Sequence, residues 1–464
     1  MEKKTVTSQL HDLFNPKSVA VVGLPRGMKS GKLFLIALQD LGYSGDIYPV
    51  HPKAREIDGI RAYPRVSAIP GEVDLAIILV PHQSALPVVR DCAAKGVKGA
   101  VLFTAGYKET GTDEGKALEA ELSRIARDSG MRLFGPNCMG LYSPRSGLSF
   151  FPELSKKQGP VGFISHSGSL ANIIGRIGPQ KGIYFSKAAS LGNECDLNSA
   201  DLLAYLGDDP DTGVIGAYLE GIKDGPAFLK ALKETSRKKP VVLWKVGLTP
   251  EGNQAAASHT GALGGSREIW NAVVHQGGAI PVNGFDVLID TLMGFSLLPP
   301  NLGDRIAILS GPGGLAVAAA EACGNAGLAL ALLSSKTRAA LAQFIPPTGT
   351  SLTNPIDVGL SAYLEIDIYT RAAEVLSQDP NVDSIVVVGR GMTHESNRLY
   401  TDTLIQCRRE SGKPFMVINI PGLGADFAMH LCQSGVPFFD TVERAMAIYE
   451  RVRAYQLWQR GGQT

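Results

Sequence analysis

The segment VGFISHSGSLA (Val161–Ala171) returns in altered form as IAILSGPGGLA (Ile306–Ala316), pairing Ser165 with Ser310, Gly168 with Gly313 and Leu170 with Leu315. Further along, DDPDTGVIGAYLEG aligns with QDPNVDSIVVVGRG, and KKPVVLWKVG with GKPFMVINIPG. A repeat on this scale means that one supersecondary module has been used twice. In each copy an apolar run enters a small-residue turn and then a helix-length segment, the pattern of parallel strands joined by crossover helices and buried on both faces. Residues that the copies share belong to the fold, so their differences are better candidates for function. His166 faces Gly311, Glu220 faces Arg390, and the later copy has no histidine matching His259.

Ahead of the repeat, SVAVVGL, LFLIALQDLG, DIYPVHP, VDLAIILVP and GAVLFTAG alternate in the same way and form a further doubly wound α/β unit ending near Tyr142–Pro144. The links FPELSKKQGP and LLPPNLGD then divide the chain into three domains, 1–150, 151–298 and 299–464, each of ordinary domain size. Basic and acidic residues balance at 45 and 44, which argues against nucleic acid as a partner. The N-terminal MEKKTVTSQLHDLF lacks a signal-peptide apolar core, and no apolar run reaches the roughly 20 residues of a membrane span; a cytoplasmic protein without membrane contact is expected. Six scattered cysteines without a C-x-x-C pair indicate reduced thiols and no metal site.

Three strand ends carry candidate chemistry. In ISHSGSLANII a strand runs through a small-residue turn into a helix, whose free N–H groups and dipole suit a phosphate; the same turn is also an ordinary one capped by Ser165 or Ser167. Glu220 ends the apolar strand VIGAYL, where open α/β sheets gather ligands, though a solvated strand-end acid would look the same. His259 lies in AAASHTGALGG, read as a small-residue loop after VVLWKVG. A carboxylate holding one ring nitrogen would leave the other as a nucleophile, and beside a phosphate site the product would be a phosphohistidine; a surface-loop histidine is the plain alternative. In the first unit, VAVVGLPRGMKSGK places Gly23, Gly27 and Gly31 at the wrong spacing for a dinucleotide fingerprint. Arg26, Lys29, Lys32 and Lys53 are either phosphate-neutralising or surface charges. The turns VPHQSA, FTAGYKETG and GPNCMG, the last with Asn137, add polar groups to the same edge.

Together IYPVHPK, AGYKETG, RLFGPNCMGL, FISHSGSLA, GNECDLNSADLLAYL, AYLEGIKDG, ASHTGALGGS and NPIDV resemble the α subunit of the NDP-forming acyl-CoA synthetases, which include ADP-forming acetate–CoA ligase and, more distantly, succinyl-CoA synthetase. The resemblance implies a Rossmann-like CoA-binding domain followed by two flavodoxin-like doubly wound domains. It nominates His259 as the phosphorylated histidine, Glu220 as its assisting carboxylate, and Ser165, His166, Ser167 and Gly168 as the phosphate-binding helix start. CoA contacts fall to Gly23, the loop from Pro25 through Arg26 to Ser30, Lys53, Pro81, Thr104, Ala105, Gly106 and Asn137. Two departures stand out: relatives commonly read SQSG where this chain has Ser165-His166-Ser167-Gly168, so a second imidazole borders the phosphate site, and the CoA loop reads PRGMKSG rather than a serine-rich form.

No segment matches the family's ATP-grasp domains, which implies that ATP or ADP with Mg is bound on a separate ATP-grasp β subunit, in an α2β2 assembly. The reaction implied interconverts acyl-CoA, phosphate and ADP with a small carboxylic acid, CoA and ATP through acyl phosphate and phosphohistidine. A non-catalytic CoA-sensing or scaffold protein of the same fold, and a nicotinamide-dependent dehydrogenase, are the competing readings. Retention of both His259 and Glu220 counts against the first, and the glycine spacing against the second.

Overall fold

The computed structural model describes residues 5–260, 265–420 and 422–461, excluding the side chains of 258–260. Contacts divide the chain into two compact units, Met1–Ile177 with Tyr184–Leu288, and Gly178–Ile183 with Ile289–Thr464.

The first unit contains two large sheets. Strands β1 (Ser18–Val22) and β2 (Asp46–Val50) precede a small hairpin, β3 (Glu56–Ile57) and β4 (Ile60–Arg61). With β5 (Leu75–Ile78), β6 (Gly99–Leu102) and β7 (Arg132–Phe134), they build a parallel sheet of order β2-β1-β5-β6-β7. Every residue of β1, β5 and β6 is buried, as the continuous apolar runs require of strands covered on both faces. Ala20, Val22, Ala76, Ile78, Ala100 and Leu102 share one core cluster with Val89, Cys92, Leu122 and Ile125, which come from helices His82–Lys95 and Asp113–Ser129.

The second sheet comprises β8 (Leu141–Tyr142), β9 (Val161–Ser165), β10 (Phe185–Ser190), β11 (Val214–Leu219), β12 (Val241–Lys245) and β13 (Ile280–Pro281), in the order β13-β12-β11-β9-β10-β8. It is parallel except at β8, which pairs antiparallel with β10 through Ala188–Tyr142 and Ala189–Leu141. The first sheet ends with β7, and Leu141 and Tyr142, just beyond it, close the edge of the next sheet. Backbone bonds run along this seam: Ser190 N–H donates to Gly140 O at 2.8 Å, Asn193 N–H to Pro136 O at 3.0 Å and Cys195 N–H to Gly135 O at 2.8 Å.

The other unit holds the later copy. Its strands β14 (Arg305–Ser310), β15 (Ala329–Leu330), β16 (Ile356–Asp357), β17 (Ser384–Val388), β18 (Phe415–Ile418) and β19 (Phe438–Phe439) run in the order β15-β14-β17-β18-β19, with β16 beside β14. The repeat holds in register. Helix Gly168–Ile177 follows β9, and helix Gly313–Asn325 follows β14, starting on the paired glycines. Three large sheets are thus present among the described residues, with β8 crossing from the first module to the second sheet. Among the described residues no helix is long and apolar enough to cross a membrane.

Candidate functional site

A cavity of about 490 Å3 opens where four strand-end turns of the first unit meet. Leu79, Val80 and Pro81 follow β5; Phe103, Thr104 and Ala105 follow β6; Asn137, Cys138 and Met139 follow β7; His166, Ser167, Gly168 and Ser169 follow β9. All four turns lie at carboxyl ends of parallel strands, where such sheets bind ligands. Thr104 Oγ1 donates to Val80 O at 2.5 Å and Asn137 N–H to Thr104 O at 3.1 Å, so neighbouring turns brace one another.

Two glycines set the close approaches. Gly23 has φ +84°, and a Cβ there would lie 2.8 Å from Val80 Cγ1 in the cavity wall; a Cβ on Gly168 would lie 2.4 Å from Met139 Cγ. Hydrogen alone at position 168 lets the start of helix Gly168–Ile177 reach the turn after β7. Its first-turn N–H groups have no intrahelical acceptor, and the wall combines apolar Leu79, Val80, Phe103 and Met139 with polar Thr104, Asn137 and Ser167. That mixture suits an extended amphiphile carrying a phosphate or facing one.

Of the expected residues, Pro81, Thr104, Ala105, Asn137, His166, Ser167 and Gly168 therefore share one cavity. Ser165 stands behind it: its Oγ, fully buried, donates to Ser167 O at 2.7 Å and accepts from Ser167 N–H at 3.2 Å. Ser167 Oγ accepts from Leu170 N–H at 3.4 Å, so it does cap the helix. Gly106 is held back by its N–H, which donates to Glu109 Oε1 at 2.6 Å. Pro25, Arg26 and Ser30, on the stretch before helix Lys32–Leu41, and exposed Lys53 are not in the cavity wall.

Glu220 is 2 % exposed, which rules out a solvated strand-end acid. Its main chain is held from both sides. The N–H donates to His166 Nδ1 at 3.0 Å, while the Lys245 ammonium donates to Glu220 O at 3.0 Å and also to Val246 O. The Tyr218 hydroxyl hydrogen-bonds Glu220, and burial together with that carboxylate's charge pushes the phenol pKa up. Lys245, 8 % exposed, is pulled down to about 8 by burial, with the Glu220 charge working in the opposite direction.

His166 is a different group from the one its sequence position suggested. Because Nδ1 accepts the Glu220 N–H, the ring proton sits on Nε2, which donates to Glu194 Oε1 at 3.1 Å. Both nitrogens are engaged and the residue is 4 % exposed, leaving no lone pair for attack on phosphorus. Glu194 also accepts the Ser199 N–H at 2.7 Å. Burial opposes its ionisation, yet contact with His166, the Lys223 charge and the Ser199 N–H outweigh it and hold the carboxyl below its ordinary value. The network continues through Asn193 Nδ2, which donates to Glu109 Oε2 at 2.5 Å and Glu119 Oε2 at 2.8 Å. Sequence reading noted the GNEC segment but missed Glu194, Asn193 and Lys245; the lysine ending an otherwise apolar strand was the available signal.

The His259 side chain lies outside the described residues. Its backbone corrects one expectation. Residues Pro250–Thr260 form a helix rather than a loop, because proline in the first turn and the run Gln254-Ala255-Ala256-Ala257 favour helix strongly. This helix packs against Lys108–Thr110, just beyond the turn after β6.

In the later copy the matching turn is filled. A Cβ on Gly311 would meet the Tyr369 hydroxyl at 2.1 Å, and one on Gly313 the Asp357 carboxylate at 2.6 Å. An acid at the helix start repels the phosphate that the earlier copy's turn suits. Arg390, opposite Glu220 in the repeat, donates Nη1–H to Gly422 O at 2.7 Å.

Residues 17–144 match the family described as CoA binding domain, and residues 158–295 that described as succinyl-CoA ligase like flavodoxin domain. The chain is 38 % identical to acetate–CoA ligase (ADP-forming) II subunit alpha of Pyrococcus furiosus, over 94 % of this chain and 95 % of that one. It is 37 % identical to acetate–CoA ligase (ADP-forming) I of Archaeoglobus fulgidus, over 94 % of this chain and 62 % of that longer one. Among solved structures it is similar to the dinucleotide forming acetyl-coenzyme A synthetase 1 of Ca. Korarchaeum cryptofilum in complex with phosphate and ADP, with a TM-score of 0.86, 33 % identity and 97 % of each chain covered.

Proposed function

The chain belongs to the family of the alpha subunits of ADP-forming acetate–CoA ligases and is a ligase subunit of that kind; we propose that it converts acyl-CoA, phosphate and ADP to a carboxylic acid, CoA and ATP, reversibly, through an acyl phosphate and a phosphorylated His259. The observation that carries this reading is the single cavity shared by the turns after β5, β6 and β7 and the start of helix Gly168–Ile177. A thioester bound along the first-sheet turns would present its carbonyl to a phosphate held at that helix start.

A phosphate oxygen attacks the thioester carbonyl and CoA leaves as its thiolate. A ring nitrogen of His259 then attacks phosphorus, the P–O bond to the acyl group breaks, and the carboxylate departs. Such transfers depend chiefly on positioning and on stabilising charge spread over the phosphoryl oxygens, which Ser165 to Gly168 would supply. Glu220 accepts a hydrogen bond from the N–H of the other ring nitrogen and so orients the ring and favours imidazolium character. In the CoA site we place Gly23, Pro25, Arg26, Ser30, Lys53, Pro81, Thr104, Ala105, Gly106 and Asn137, and we assign the domains as 1–150, 151–298 and 299–464.

Alpha-subunit relatives imply a separate partner subunit. We assign to that partner an ATP-grasp fold, the nucleotide and its Mg2+, in an α2β2 assembly.

The test supplies the chain and its partner with acyl-CoA, labelled phosphate and ADP. Labelled ATP should form, and without ADP the chain should hold an acid-labile, base-stable label on the peptide containing His259. A label elsewhere, or none, would overturn the reading.

A further inference from the structure

We propose that His166 and Lys245 are positioning residues for phosphoryl transfer, forming a clamp that grips the Glu220 peptide by its N–H on one side and its C=O on the other. The proposal rests on the reading of Glu220 as the carboxylate that assists His259.

Glu220 follows the last residue of β11, at the end of the regular ladder between β9 and β12. Tyr218 O accepts the His166 N–H and Leu219 O the Val246 N–H, so in a continuing parallel ladder Glu220 would turn both its N–H and its C=O to the main chain beyond β9. Here the neighbours supply side chains instead: His166, the first residue after β9, accepts the N–H, and Lys245, the last of β12, donates to the C=O. Each clamp residue is itself anchored, His166 on Glu194 and Lys245 on Val246 O. With its peptide fixed and its carboxylate hydrogen-bonded by Tyr218, Glu220 has little freedom left.

The later copy separates this device from the needs of the fold. There Gly311 stands opposite His166, Asn419 opposite Lys245 and Arg390 opposite Glu220, in the same strand register. The three residues are replaced together, and that sheet forms without any of them. Keeping two polar side chains buried at one strand end has a cost that main-chain pairing would avoid, and the depressed lysine pKa records part of it.

The experiment measures the rate at which labelled phosphate and acyl-CoA label the chain, in complex with its partner, for His166→Leu, His166→Gln, Lys245→Met and Glu220→Gln. The two apolar variants should slow labelling about 10- to 100-fold, the effect typical of losing a group that orients a reacting one, while KM for acyl-CoA stays within about twofold of the parent. His166→Gln retains an acceptor and a donor and should recover most of the rate. Parental rates in both apolar variants, or a His166→Gln variant as slow as His166→Leu, would overturn the clamp while leaving Glu220 in place. A parental rate in Glu220→Gln would instead remove the underlying reading and the clamp with it. Should His166→Leu fail a thermal-melt check of folding, His166→Asn, which shortens the reach, takes its place with the same expected loss.

Discussion

Gly192 presses against Asn137: a Cβ on Gly192 would stand 2.3 Å from the Asn137 carbonyl oxygen and 2.2 Å from that of Pro136. Gly192 also has φ +54°, where a side chain adds strain of its own. Gly192→Ala should therefore destabilise the fold by about 2–3 kcal/mol and weaken CoA binding, because Asn137 lines the cavity that its neighbour would push against. Thermal melting and calorimetric titration with CoA check both. An unchanged midpoint would mean that the turn yields freely.

His259→Ala should abolish the acid-labile label while leaving CoA affinity within about twofold. Alanine is the better helix former, by a few tenths of a kcal/mol, so the helix Pro250–Thr260 should persist and the melting midpoint should hardly move. Persistent labelling of the variant would show that another residue carries the phosphoryl group. His166 is a poor substitute, with both ring nitrogens already engaged.

Lys245 should give the reaction an alkaline limb. Below its pKa of about 8 it is an ammonium facing Glu220; as pH rises through that value the charge is lost, and phosphoryl transfer should fall with a midpoint near pH 8. Global unfolding would have the opposite sign. Because the folded pKa lies below the ordinary 10.5, the unfolded chain binds more protons between the two values, and this residue's contribution to stability rises with pH there. Lys245→Arg, always charged, should flatten the limb in a pH–rate profile; an unmoved limb assigns it elsewhere.

Purified without its partner, the chain should bind CoA yet make no acyl-CoA from ATP and acid, and adding the partner should restore synthesis. A coupled assay decides this, since full activity in the isolated chain would contradict the proposed division of labour.

Much of this architecture was legible from the repeat, which aligned β9 with β14 and set both following helices to begin on paired glycines. Glu220 stood out for the same reason, as a difference between copies that share a backbone. Its surroundings were not: a lysine closing VVLWK reads as solvated, and only packing shows it turned onto two carbonyls. The hydrogen bonds that fix the His166 tautomer come from residues 28 and 54 positions away, beyond any local pattern. Helix Pro250–Thr260 was read as a loop because small residues suggested irregular backbone, although alanine favours helix even where it buries little. The carboxylate at the start of helix Gly313–Asn325 comes from Asp357, far along the chain, so the two turns looked alike on paper and differ in charge.

The antiparallel strand Leu141–Tyr142 has a consequence for dissecting the chain. It caps β10, and with it the border of a sheet whose other strands all come later. A fragment beginning at residue 151 would keep the turn Ser165–Gly168 and Glu220 but lose this borrowed border, baring the Ala188–Ala189 backbone to edge-to-edge association. The first module would then be needed twice over, once to hold a thioester and once to keep its neighbour soluble.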